Sequence, residues 1–333
     1  MITRQRQAIG IGLPTGSVVH QPTGRPADKE EPAWLWESLR SRFWEPADLA
    51  RGLRSAGGLE SGQREVAAWW WSLLAAADQL GSRMYAAAFV RATEQHDSDQ
   101  VRWSLLAMLR DEVQHEELFR LGMQSLGPGW SRRAGPRTPS GQADDHLVEA
   151  NKEAERCWRA YQQALDRHGI AAVTGGLLLV GLVTAPLYDH CALGCAIPAF
   201  ATAFRHLGRD AKRHQDALRA LVTRDWPRLS ASQRTAAVAQ VQAAAGFLTT
   251  AMLGPAGTLR ALVSGDPPSN LAIACREGLG VPSGEDRLEI LRGALLKVKN
   301  LQALYGLPFP AIPHLAIPGS EQAAAITIVR DAD

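Results

Sequence analysis

Residues 169–188 read GIAAVTGGLLLVGLVTAPLY, twenty positions without a charge. A helix that is apolar all round has two homes, a lipid bilayer or the centre of a protein. Four glycines, two threonines and a proline fall in this run, a composition that reads as a buried central helix. A chain that buries such a helix must surround it with others. Apolar spacing predicts those neighbours over 61–94, from Ser98 or Asp99 as a cap to about Leu126, and over about 198–224. The charge-free run itself belongs to a helical stretch over 145–190, interrupted at 167–169. Weaker helices follow at 231–252, 269–278 and 285–304. No window alternates apolar and polar residues at period two, so almost no sheet is expected. Short links between long helices favour antiparallel neighbours. The expected fold class is therefore all-α, a core bundle of four helices extended by additional C-terminal helices.

Residues 1–32 read as an irregular leader, 33–225 as the core bundle, and 226–333 as accessory helices and a proline-rich strap of the same globular domain. The aromatic-rich segment that opens the core, PAWLWESLRSRFWEPADL, is expected to pack over it. The net charge of +2 leaves no basic footprint for nucleic acid. Cys157, Cys191, Cys195 and Cys275 form no metal-binding pair, which reads as a reduced, cytoplasmic chain. The N-terminus has a basic start but no apolar core of signal-peptide length. The partners expected are a small-molecule substrate and a second copy of the chain, with no membrane and no nucleic acid.

Several acids and histidines sit where helical spacing places apolar residues. Asp78 shares a face with Trp71, Leu74, Ser82, Tyr85 and Phe89. A carboxylate there must be paired, hydrogen-bonded or on a metal, because burying a lone charge costs several kcal/mol. The bland alternative is a bond to Ser82 or to a neighbouring helix. Further on, Leu105, Met108, Leu109, Glu112, His115, Phe119 and Met123 share a face. Glu112 and His115 are three residues apart, so both side chains can reach one cation. Glu116 and Glu117 mark part of this run as solvated. The segment RDAKRH, 209–214, repeats RDEVQH, 110–115, with Ala211 in place of Glu112. There Leu207, Asp210, Ala211, His214, Leu218 and Leu221 share a face.

Together these segments resemble the ferritin-like superfamily, in particular the branch of the ribonucleotide reductase small subunit and related di-metal oxygenases. LLAAADQL, 73–80, is similar to that branch's first-helix stretch, RDEVQHEEL to its second-helix motif and RDAKRH to its fourth. The resemblance covers about 40–225 and implies a ferritin-like bundle with Asp78, Glu112, His115 and His214 as metal ligands. It also implies that Asp111 and Asp210 orient the imidazoles, with Tyr85 beside them. Two departures stand out. Ala211 offers no oxygen where the family has Glu. No acid lies between Asp166 and Asp189, where the family's third helix supplies one, and Thr174 and Thr184 are the nearest polar stand-ins. The family's tyrosyl radical position is Phe119, which with the missing acids argues against ribonucleotide reductase activity.

One Fe or Mn ion, rather than two, then fits the retained residues, with Glu112, His115 and His214 as the catalytic set and Phe119, Ala211 and Thr184 lining the pocket. The expected reaction is oxidation of a small molecule by hydroxylation, N-oxygenation or desaturation, in specialised metabolism. Asp210 turned inward is an alternative source of the missing carboxylate. A different class also stays open, a metal-free bundle that binds an organic ligand or partner protein in the former pocket. Between them lies a metal-free enzyme in which His115 or His214 acts as general acid or base beside Glu112. The WWW run at 69–71 reads as core or interface packing, Met108 and Met123 as core fillers, and YDHCALGC as a polar helix end.

Overall fold

The charge-free run lies at the centre of the molecule, as its composition requires. In the computed structural model, residues 44–55, 59, 61–126, 145–254, 278–309, 311, 312, 315 and 317–319 are described. They fall in one unit, Trp34–Asp333; the leader at 1–32 and, but for Gly278, the weak helix at 269–278 lie outside the described residues. The elements are α1 Pro46–Ser55, α2 Ser61–Glu94, α3 Asp99–Leu126, α4 Asp145–His168, α5 Thr174–Gly194, α6 Pro198–Asp225, α7 Ala231–Leu253 and α8 Gly284–Leu304. Short 3₁₀ turns fill Ile170–Ala172 and Trp226–Arg228. Among the described residues there are two isolated β-bridges and no strand.

The core is two helix pairs. α2 lies along α3, α5 along α6, and α3 touches α6 where the pairs meet. α4 packs on α2, α7 on α4 and α5, and α8 on α5 and α7. This is an all-α bundle with added C-terminal helices, as expected. α5 and α7 are both long and apolar enough to cross a membrane. Most of α5 is nonetheless buried among other helices, which places its apolar surface in the protein core.

Local chemistry explains the boundaries. The break between α4 and α5 falls at Gly169, whose φ of 77° suits glycine and stops a helix. Ser98 Oγ accepts from Val101 N at 3.4 Å and caps α3. Ser230 with Gln233, and Ser283 with Asp286, form reciprocal capping boxes on α7 and α8. Glycines on α5 admit large neighbours: a Cβ at Gly175 would stand 2.5 Å from Trp226, and one at Gly176 would stand 2.9 Å from Gln240. Within the WWW run, Trp70 and Trp71 are both buried. Trp71 meets Phe119, Phe200 and Phe204 from α3 and α6, with ring centroids 5.1–5.9 Å away.

Gly122 leaves room for that indole, since a Cβ there would lie 2.0 Å from the Trp71 ring. Gly122→Ala is therefore expected to destabilise the fold by about 1–3 kcal/mol through overpacking. Urea unfolding of the variant against the parent checks this.

Candidate metal centre

Four helices each turn chemistry into one buried space. α2 contributes Asp78, α3 contributes Asp111, Glu112 and His115, α5 contributes Tyr188, and α6 contributes Asp210 and His214; all are buried. Asp78, Glu112 and His115 bring one ligand atom each to within 4.8 Å of one another. Tyr188 donates from Oη to Asp78 Oδ1 at 3.2 Å. The other oxygen, Asp78 Oδ2, accepts no hydrogen bond among the described residues; it faces His115 Nδ1 at 3.7 Å, an ion pair when that ring is protonated. Ser82 Oγ has no partner among the described residues, so of the two bland alternatives for Asp78 the bond to Ser82 does not hold and the bond to a neighbouring helix does, through Tyr188.

The two imidazoles are held from behind by carboxylates of the opposite helix. His115 Nε2 meets Asp210 Oδ2 at 3.1 Å, and His214 Nε2 meets Asp111 Oδ2 at 3.2 Å. Each ring thereby turns Nδ1 toward the pocket. His115 Nδ1 faces Asp78, whereas His214 Nδ1 lies 3.3 Å from Glu112 Oε1. Trp44 Nε1 donates to Asp210 Oδ2 at 2.8 Å, and its ring stacks on His115 at 6.0 Å. Trp44, from the end of the aromatic-rich segment, thus covers this face of the core; residues 32–43 of that segment lie outside the described residues.

Electrostatics follow from these partners. Burial pushes Asp78 well above the usual carboxylate range, and the charge of Glu112 adds to it, against His115 and the Tyr188 bond. Burial alone would lower His115, but the Asp210 bond and the charges of Asp78 and Glu112 outweigh it and lift the ring to about 8. His214 is lifted to about 9 against burial by its bonds to Asp111 and Glu112. Asp111 resists burial and is held well below the usual range by the His214 and Arg110 bonds. Asp210 is held low in the same sense by His115 and Arg213. Tyr85 and Tyr188 are raised, first by burial, and stay neutral.

The residues present fit a metal ion. Two carboxylates and an imidazole nitrogen suit Fe(II) or Mn(II), and a buried carboxylate oxygen without a hydrogen bond is the atom that such an ion would satisfy. Gly81 shapes the cradle: a Cβ there would come within 2.8 Å of Glu112 Oε2. The adjoining cavity is about 20 Å³, bounded among others by Leu177, Val180, Gly181, Thr184, Ala211 and Phe247. That holds a water or two beside an ion.

Several expected residues lie elsewhere or act differently. Phe119, expected in the pocket, packs edge-on against Trp71 instead, because its spacing on α3 turns it toward the aromatic cluster. Ala211 and Thr184 line the cavity, and so does Tyr85, whose ring also meets His214 edge-on at 5.7 Å. Thr174 bonds the Ala171 carbonyl and caps a turn. Asp210 points at His115 Nε2, away from the cavity, and supplies no substitute carboxylate. His214 stands outside the three-residue cluster and faces Glu112. At the end of α5, Asp189 pairs with Lys212 at 2.6 Å and His190 with Asp286 at 3.5 Å, which makes YDHCALGC a polar helix end.

Sequence reasoning missed Tyr188, Gly81, Trp44 and Arg213. Tyr188 follows Thr184 by one helical turn and Gly81 follows Asp78 by three residues, so spacing alone could have placed both on the site face. Trp44 left no comparable signal.

The fold that carries this buried acid–histidine centre is similar to that of known di-metal proteins. Solved structures of an R2-like ligand-binding oxidase with a Mn/Fe cofactor share the fold. One, reconstituted aerobically, is 15% identical over 84% of this chain and 95% of its own, with a TM-score of 0.56. A second aerobic form is 14% identical over 83% and 94%, with a TM-score of 0.58. An anaerobic form is 16% identical over 84% and 94%, with a TM-score of 0.57. No protein-family model matches the chain, and no curated protein matches its sequence.

Two predictions follow from the geometry. Gly81→Ala displaces the flexible Glu112 carboxylate rather than backbone, so Mn(II) affinity is expected to fall about tenfold with little change in melting temperature. Electron paramagnetic resonance of free Mn(II) and a thermal melt read the two effects. The second concerns pH in chelator-stripped protein. Histidines raised to about 8 and about 9 stabilise the fold fully below the unfolded value of 6.5, and that contribution is lost as pH rises through 8 to 9. The raised Asp78 acts in the same direction. The melting temperature of the stripped protein is expected to fall between pH 6.5 and 9.5, and a flat profile would refute the assignment.

Proposed function

We propose that this protein is a ferritin-like metalloenzyme that holds one Fe or Mn ion at Asp78, Glu112 and His115 and oxidises a small molecule. The observation that carries the reading is Asp78 Oδ2, a buried carboxylate oxygen without a hydrogen bond, facing His115 Nδ1 across a water-sized cavity. The Mn/Fe cofactor of the R2-like oxidase structures supports the choice of metals. One ion is favoured because the α5 positions bounding the cavity, Leu177, Val180, Gly181, Thr184 and Tyr188, include no acid, and α6 presents Ala211.

A bound ion of this kind supplies one-electron chemistry and open coordination positions for dioxygen or a substrate heteroatom. The chain's own residues prepare the place. Asp78 and Glu112 offset the cation's charge, and Tyr188 fixes Asp78 by occupying Oδ1. Asp210 holds the Nε2 proton of His115, leaving Nδ1 as the inward nitrogen. His214 holds a proton at Nδ1 beside Glu112 Oε1 and can pass it to that oxygen. Leu177, Val180, Ala211 and Phe247 keep bulk water out. The reactions in view are hydroxylation, N-oxygenation or desaturation in specialised metabolism. A cytoplasmic setting and a homodimer belong to the same proposal.

Protein purified from iron- and manganese-supplemented culture is expected to carry about one equivalent of Fe or Mn, and Asp78→Asn to lose most of it. Elemental analysis decides: below about a tenth of an equivalent in the parent, the proposal fails.

A further inference from the structure

The side of the two imidazoles away from the pocket holds a second arrangement. Asp111 takes two bonds on Oδ1 from Arg110, at 3.0 Å from Nε and 2.6 Å from Nη2, and one on Oδ2 from His214. Asp210 takes two bonds on Oδ2, from Trp44 and from His115. Arg213 joins the two sets. Its Nη2 lies 3.3 Å from Asp111 Oδ2 and also bonds Asp210 Oδ1. Arg110 thus grips Asp111, Trp44 grips Asp210, and Arg213 grips both.

Two carboxylates this close to one guanidinium would repel each other without it, and one of them would swing away. That change alters what the imidazole behind it can donate to. With the guanidinium between them, both carboxylates are held in place and each faces an imidazole Nε2, so both rings present Nδ1 to the pocket. We propose that Arg213 is a positioning residue that couples His115 and His214, setting the orientation of both rings through the shared Asp111–Asp210 pair. Its value to the protein rests on the metal reading above; the coupling itself does not. Arg213 is 18% exposed at the side chain, so its removal opens a site that water can enter rather than a void in the core.

The test uses metal-free protein labelled with ¹⁵N at histidine, at one fixed pH, with spectra that correlate ring nitrogens and carbon-bound protons. Arg213→Gln is expected to shift the ring nitrogens of both His115 and His214. An Arg213→Gln spectrum in which one ring or neither has moved, with helicity unchanged, overturns the proposal. Should that variant fail to fold, Asp111→Asn carries the test. It touches His214 directly, and coupling through Arg213 requires His115 to shift as well; an unmoved His115 overturns it. Mn(II) titration adds the consequence, an affinity in Arg213→Gln lower by about 10–100-fold. If the parent itself binds no Mn(II), the metal reading fails while the ring-nitrogen spectra still decide the role of Arg213.

Discussion

Asp78, Asp111, Glu112, His115, Asp210 and His214 are all buried between helices, and the bundle is arranged so that five of them satisfy one another. Taking a charge out of water costs several kcal/mol even after relaxation, so each pairing constrains the backbone that carries it. The crossed pairs His115–Asp210 and His214–Asp111 run in both directions between α3 and α6. A slide of either helix by one turn would break both at once and strand four buried titratable groups. The register of the two helix pairs is therefore fixed by polar contacts, while the aromatic cluster around Trp71 fills the volume beside them.

The acids that line the cavity lie on one side. α2 and α3 deliver Asp78, Glu112 and His115; α5 and α6 answer with Thr184, Tyr188, Ala211 and His214, none of them an acid. That asymmetry gives the charge balance a simple form. Without a metal, positive charge on two raised histidines lies against Glu112 and the outer aspartates. In the proposed reading a divalent ion would take the place of the proton on His115 Nδ1, while the opposite wall adds no further negative charge.

Periodicity in the sequence was enough to place the helices, the inward faces and the central run, because burial imposes a 3.6-residue pattern on any long helix in a core. The break at Gly169 and the cap at Ser98 were legible for the same local reason. The partners of the buried groups were not. The crossed pairing joins residues 95 and 103 positions apart, and Tyr188 meets Asp78 across 110; such choices are made by packing between helices, not along one. Phe119 shows the limit from the other side. Its position on the α3 face was read correctly, but a face some 100° wide borders both the metal pocket and the Trp71 cluster, and spacing cannot say which neighbour a ring meets. His214 was read as inward, and it is. Which acid it would face depended on Ala211 leaving it without a glutamate on its own helix.

The repeated motif alone does not establish a metal. Asp111, His115, Asp210 and His214 hold α3 and α6 together, so they would be needed in a bundle that had given up metal altogether. Glu112 likewise has a structural partner in His214. Asp78 is different. One of its oxygens is tied to Tyr188, the other has no hydrogen bond, burial and Glu112 oppose its charge, and nothing in the packing of α2 requires an acid there. An aliphatic residue of similar size would fill the space at lower cost in a metal-free protein. An unfavourable buried carboxylate, aimed with Glu112 and His115 at one point, makes physical sense when a cation offsets it, and that is why the functional reading rests on Asp78 rather than on the more conspicuous histidines.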